Sequence, residues 1–297
     1  MYGESYPQRG SIAVSENVEI CGGGVGANIA VALARLNAEV KLAGAIGGDP
    51  WGDYVLKEMR EEGVDLTLVQ VRENELTGFM FIFVDKEGER TILGSRGANK
   101  KFQATKEVLK AVSDVSHVHV SGYSLMDPDE FPHAISLLKI ARRSGVATSV
   151  DMKGIASRGS AKILQLKGLI NYCTSNEIEA RSLCREFDKK EFEDLRKRLE
   201  ADVLVVKMGK RGCLVVWDDG TELIPAKKVE VEDTTGAGDA FNAGFLFGIS
   251  KGLNPPEACE LGNAVAGYKC EGRGARHLPK LKQLVERWPD LRPLLSE

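Results

Sequence analysis

The chain has 297 residues, 43% hydrophobic and 28% charged, with 40 basic against 43 acidic side chains and a net charge of −3. That balance belongs to an ordinary globular protein; it argues against a general nucleic-acid binder, and no apolar run reaches the ~18 residues that suggest a membrane span. The first residues, MYGESYPQRG, carry no signal-peptide core, and the six cysteines are scattered without a CxxC pair, so a cytoplasmic protein with reduced thiols is expected.

Residues 11–21 alternate weakly and read as a strand. A glycine turn, GGGVGAN at 22–28, opens an alanine-rich helix, followed by a short buried strand at 40–46. The turn at 47–50 leads into an amphipathic helix, 51–62, which stops at Gly63. Helices alternating with strands predict a parallel sheet with helices covering it. Residues 77–84 (TGFMFIFV) and 90–93 (RTIL) flank a polar turn at 85–89, a hairpin signal that interrupts this rhythm. With 11–21 it is expected to build a small separate sheet, placed as a lid over a site. The α/β rhythm resumes from Phe102, with strands at 115–120, 147–150, 169–173 and 203–207. Helices are predicted over 105–112, 129–144, 161–167, 176–187 and 190–200, and a hairpin strand over 213–217. Long helices follow to 249, over 255–270 and from 279. No repeat or linker appears, so the expectation is one domain, 1–297, with a lid excursion near 8–22 and 66–96.

The chemistry concentrates at 232–249, EDTTGAGDAFNAGFLFGI. A turn of small residues, Gly236, Ala237 and Gly238, opens a helix start whose N–H groups and dipole make an anion site. Asp239 sits in the first helical turn, where a carboxylate can take a proton from a hydroxyl while the anion site holds phosphoryl oxygens. On its own such a GxGD would read as a buried helix start capped by Asp239; the length of the motif and the second glycine turn upstream favour chemistry.

Other readings fit less well. GxGxxA at 22–27 suggests a dinucleotide fold, hence an NAD(P)-dependent oxidoreductase, but the next strand ends in Ile46-Gly47-Gly48 without the acidic residue expected about twenty positions on. No GxxxxGK[ST] exists, and GYSLM at 122–126 lacks the second glycine of GxSxG. His117 and His119 share one face of a strand; with no third ligand evident, strand packing is the better reading.

The two glycine stretches together resemble the ribokinase family, also called the pfkB carbohydrate kinase family. Its first signature is similar to GGVGAN at 23–28 continuing to GGDPWG at 47–52, and its second to DTTGAGDAF at 233–241. Between them lie NEIE at 176–179 and KMGKRG at 207–212, in the family's order. The resemblance implies a ribokinase-like three-layer α/β/α fold with a mostly parallel sheet and a small β-sheet lid. It implies an ATP-dependent kinase acting on a sugar or sugar-like hydroxyl, with nucleoside kinase as the alternative and a non-catalytic sugar-binding regulator as a remote one.

On this resemblance Asp239 is the general base and the main chain of Gly236, Ala237 and Gly238 the anion hole. Gly24 and Asn28 face the acceptor. Apart from the resemblance, Arg96, just past the hairpin, is read as a substrate contact whose cation suits an anionic or polyhydroxy acceptor, with Asn99 beside it. Lys207, Gly209, Gly212 and Asn263 line the nucleotide pocket. Asn176 and Glu179 lie near Mg²⁺, through water. Asp233 and Thr235 begin a monovalent-cation loop, suited to K⁺, whose partner loop is 272–276. The bulky apolar strand at 77–84 points to a homodimer formed through the lid. Two departures leave the acceptor open. Val25 stands where ribokinases proper have a lysine. The family also opens with a strand ending in a substrate-binding aspartate, and the loop-like SYPQRGS at 5–11 creates the expectation of about a dozen further residues upstream, apolar and ending in aspartate. Without them, Asn28, Asp49 or Asn99 would hold the acceptor hydroxyls.

Overall fold

The computed structural model describes residues 9–12, 14–15, 17–84, 90–154 and 163–295. Its strands are β1 (Lys41–Gly47), β2 (Asp65–Arg72), β3 (Phe79–Val84), β4 (Arg90–Ser95), β5 (His117–Val120), β6 (Ala147–Asp151), β7 (Tyr172–Asn176), β8 (Val203–Lys207), β9 (Cys213–Trp217) and β10 (Gly220–Ile224). The helices used below are α1 (Val25–Arg35), α2 (Pro50–Glu61), α3 (Phe131–Arg143), α4 (Glu177–Leu183), α5 (Lys189–Leu199), α6 (Ala237–Ser250) and α7 (Pro255–Cys270).

Six strands form the main sheet in the order β10-β9-β8-β7-β6-β5. β5 to β8 run parallel and β9 and β10 antiparallel. The alternation of β8 sorts its side chains onto two faces. Val203 and Val205 pack with α1, α6 and α7, while Leu204 and Val206 pack with α3, α4 and α5. The result is the helix–sheet–helix sandwich expected. α6 and α7 lie unusually close. A Cβ on Gly244 would stand 2.8 Å from the Leu261 carbonyl oxygen, and one on Gly248 2.9 Å from Ala258 Cα. Glycine is required at this crossing because any side chain would push the helices apart.

β1 and β2 pair in parallel, apart from the main sheet. Strand β2 has no clear alternation, because its mixed DLTLVQVR is only partly buried. Among the described residues no strand joins β1 to β5. The space between them, lined by Leu42, Ala43, Ile46, Val118 and His119, belongs to a cavity of about 2290 Å³ that reaches Asp239.

β3 and β4 form an antiparallel hairpin as a sheet of their own; its turn at 85–89 lies outside the described residues. Of the segment 11–21, expected to join it, Asn17 makes an isolated bridge among the described residues, and Ile12, Val14, Val18 and Ile20 are exposed. Strand β7 runs later than the apolar run at 169–173 suggests. Its second half is polar yet buried (Thr174, Ser175), because a central parallel strand leads its carboxyl end into the site. Helix α4 ends at Leu183, with Cys184 already extended, rather than at 187. Of the helix expected at 161–167, residues 161 and 162 lie outside the described residues, and Leu164–Leu166 form a 3₁₀ turn.

Candidate active site

The cavity runs along β1 and β5 and takes in Ser121, just past the carboxyl end of β5, and the glycine turn at Gly236; ligands of α/β sheets usually lie past the carboxyl ends of strands. Gly236 caps α6 with φ 81, a left-handed conformation that a side chain disfavours. It also lies so close to Ala275 that a Cβ would come within 2.8 Å of the Ala275 Cβ. Within this turn the Ala237 N–H donates to the Thr234 carbonyl (3.1 Å) and the Asp239 N–H to that of Gly236 (3.0 Å). The N–H groups of Gly236 and Gly238 donate to no backbone carbonyl among the described residues. Of the three residues expected to make the anion hole, Ala237 therefore has its N–H engaged in shaping the turn.

Asp239 is 3% exposed. Its Oδ2 accepts from Asn28 Nδ2 at 2.8 Å, and its Oδ1 accepts from Lys153 Nζ. Asn28, expected on the acceptor, thus sits on Asp239. Gly24 precedes it with φ 92 and open space where a Cβ would point. Lys153 was missed in the sequence. It follows β6 by two residues, and its position just past the carboxyl end of a parallel strand was the available signal. Burial acts against its charge, but Asp239 and Asp151 outweigh that and raise its pKa. Lys207, at the end of β8, donates to Asn242 Oδ1 at 3.0 Å. Its pKa is pushed down by burial and by neighbouring Lys153. A Cβ on Gly238 would lie 3.6 Å from Lys207 Nζ and 3.8 Å from Lys153 Nζ. Two ammonium groups therefore flank the glycine turn and add to the helix dipole there.

Behind them Asp151 is wholly buried. Burial raises its pKa, but His119, Lys153 and Lys207 outweigh that and hold it low. Ser149 Oγ bridges His117 Nε2 and His119 Nδ1, each at 2.7 Å, and His119 Nε2 stands 3.5 Å from Asp151 Oδ2. The two histidines thus share a hydroxyl. Burial, helped by His119, pushes the His117 pKa down to about 3, so it stays neutral.

Several expected residues are also engaged by the fold itself. Asp49 caps α2, accepting from Gly52 N (2.8 Å), Thr77 Oγ1 (2.7 Å) and Thr77 N (2.7 Å). Asn263 is 6% exposed and donates to the carbonyls of Ile224 and Pro225, both at 3.1 Å. Gly212 faces backbone, 2.0 Å from the Ile224 oxygen for a would-be Cβ, whereas Gly209, with φ 57, faces open space. Arg96 lines the cavity but is paired with Glu130 at 2.5 Å and lies 3.9 Å from Asp127. Asn99 lines it too, donating to the Arg96 carbonyl at 3.0 Å.

Asn176 and Glu179 form a reciprocal capping box at the start of α4. Burial raises the Glu179 pKa. Its oxygens keep lone pairs beyond those the box uses. Among the described residues no cluster of three acidic, histidine or cysteine side chains could cage a metal. This donor set fits an ion that keeps its own water and takes one or two carboxylates, as Mg²⁺ does beside phosphates. Asp233 and Thr235 meet in a tight turn, Thr235 N donating to Asp233 Oδ1 at 2.8 Å. No helix among the described residues is long and apolar enough to cross a membrane.

A profile of pfkB family carbohydrate kinases matches residues 4–281. An ATP-dependent ribose-1-phosphate kinase of Halopiger xanaduensis is 29% identical over 259 residues, 87% of this chain and 83% of that one. A ribokinase of Haemophilus influenzae is 29% identical over 294 residues, 95% of this chain and 92% of that one. In fold, the chain is similar to an Arabidopsis thaliana ribokinase solved with ribose and ATP, with a TM-score of 0.84 at 22% identity, covering 100% of this chain and 94% of that one.

Proposed function

This chain belongs to the pfkB family of carbohydrate kinases, and on that premise we propose that it transfers the γ-phosphoryl group of ATP to a hydroxyl of a neutral sugar or sugar-like acceptor, with Asp239 as general base. The observation that carries this reading is the setting of Asp239: a buried carboxylate in the first turn of α6, held by Asn28 and Lys153, inside the cavity and beside a glycine turn flanked by two lysines.

The chemistry follows from that arrangement. The acceptor hydroxyl lies against Asp239 and gives it a proton as its oxygen bonds to the γ-phosphorus. The bond from that phosphorus to the bridging oxygen breaks, and ADP leaves with the electron pair. The Gly236 and Gly238 N–H groups, Lys153 and Lys207 offset charge on the phosphoryl oxygens. Glu179 and Asn176 would hold Mg²⁺ bound with the nucleotide, and the ion would supply further neutralisation of the phosphates. The open space at Gly209 suits the nucleotide. The β3–β4 hairpin acts as a lid that excludes water.

The state of Arg96 supports a neutral acceptor. Its charge is met by Glu130 and Asp127, so a sugar phosphate would have to compete with carboxylates already in place. A panel of sugars, sugar phosphates and nucleosides, followed by ADP release, tests the reading. Asp239→Asn is expected to retain nucleotide binding and to lose about 10²–10⁴ in kcat. Failure of the wild type on every panel member would refute the kinase reading, and a preference for sugar phosphates would refute the neutral acceptor.

A further inference from the structure

Lys269, in the last turn of α7, has a side chain with 0% exposure. An ammonium is expensive to bury and persists only where oxygens replace its water. Its Nζ donates to the Asp233 carbonyl at 2.7 Å and the Gly272 carbonyl at 3.0 Å, and lies 4.0 Å from Asp233 Oδ2. The carbonyl end of its own helix adds to this favourable field.

These oxygens belong to the two loops in which the family resemblance places a monovalent cation. Asp233 Oδ2 also accepts from Gly274 N at 2.8 Å, and Glu232 N donates to the Cys270 carbonyl at 2.8 Å. Gly236, the cap of α6, packs on Ala275. The loop that carries the glycine turn is thus tied to the loop after α7, with one buried ammonium at the knot. A K⁺ ion and an ammonium make the same demand, a unit positive charge ringed by carbonyl oxygens, and two such charges at the same carbonyls would repel each other. The donor set does not fit an added K⁺ because Lys269 already uses it.

We infer that Lys269 is a tethered monovalent cation, which holds the anion-hole loop in shape and makes this kinase independent of K⁺. The catalytic part rests on the kinase reading, whereas the ion-binding part does not.

The test compares K⁺, NH₄⁺, Na⁺ and N-methylglucamine chlorides at constant ionic strength, reading phosphorylation rate and melting temperature. The wild type should vary by less than about two-fold in rate, with no saturable rise in melting temperature in any salt. Lys269→Met should lose about ten-fold or more in N-methylglucamine and regain rate and melting temperature in K⁺ or NH₄⁺ as the ion fills the vacated cradle. A wild type activated more than about five-fold by K⁺, or stabilised by it saturably, overturns the inference. So does a folded Lys269→Met that ignores the ion. Should that variant not fold, the wild-type series decides alone. Absence of phosphorylation in every salt would sink the kinase reading, leaving the melting series to judge the ion.

Discussion

Replacing Lys153 by methionine keeps most of the side-chain stem and removes the ammonium. Asp239 is buried, and the side-chain donors it has among the described residues are Asn28 and Lys153. Without Lys153 it keeps one neutral donor at 2.8 Å. A hydrogen bond to a charged group contributes about 1.5–3 kcal/mol. The same ammonium is 3.8 Å from the space over Gly238, where phosphoryl charge is proposed to sit. Losing one such donor to the transition state costs about 2.7–4 kcal/mol, or about 10²–10³ in kcat. Steady-state ADP release measures this, with acceptor KM reported separately. Lys153→Arg should restore only part of the rate, since a planar guanidinium does not fill the place of a point charge. Combining the change with Asp239→Asn separates two roles. If Lys153 acts only through Asp239, the double variant is no slower than the slower single one; a further drop of about ten-fold means that it also holds phosphoryl oxygens. A folded Lys153→Met enzyme within about three-fold of wild-type kcat would refute the reasoning.

Strands β3 and β4 expose Phe79, Phe81 and Leu93 on one face and Met80 and Ile92 on the other, and the Phe79, Phe81 and Leu93 face is proposed to pair two hairpins in a homodimer; sedimentation should show a dimer at micromolar concentration and a monomer for Phe81→Glu, and a monomeric wild type would remove the proposal. Asp49→Ala should lower stability by about 2 kcal/mol at pH 7, through the lost cap and the unpaired Thr77. Burial raises the Asp49 pKa, but the N–H and hydroxyl donors from Thr77 and Gly52 outweigh that and lower it. A depressed carboxylate pKa gives stability that is present above the ordinary value of about 3.9 and fades as pH falls through the folded value. Urea midpoints for the two proteins should therefore converge in acid, and a gap that stays constant would contradict the assignment.

Much of the fold could be read from local chemistry. The helix start at α6 needs glycines where φ turns positive, and the capping box of Asn176 and Glu179 closes over three residues. Such requirements act within one turn of chain, so they leave marks in the sequence. Strand β8, buried on both faces, announces itself as an unbroken apolar run. Strand β7 does not, because its carboxyl half carries polar residues into the site. The run at 11–21 has the alternation of a strand, yet among its described residues only Asn17 makes a bridge; which edge a strand meets is not encoded in its own alternation.

The site divides in the same way. The order of the two glycine turns, Asp239 and the intervening motifs was enough to name the family and to place Asp239 at the mouth of a helix. It could not show that Asn28, 211 residues away, and Lys153, 86 residues away, would meet on that carboxylate. Nor could it show that Arg96 is already neutralised by Glu130, or that Lys269 turns inward to the Asp233 and Gly272 carbonyls. A lysine reads the same whether it faces water or a buried oxygen. Backbone demands are met by neighbours in the chain, whereas charge is compensated by whatever the convergence of strand ends and helix termini brings within a few ångströms. That convergence exists only once the sheet and its covering helices have packed.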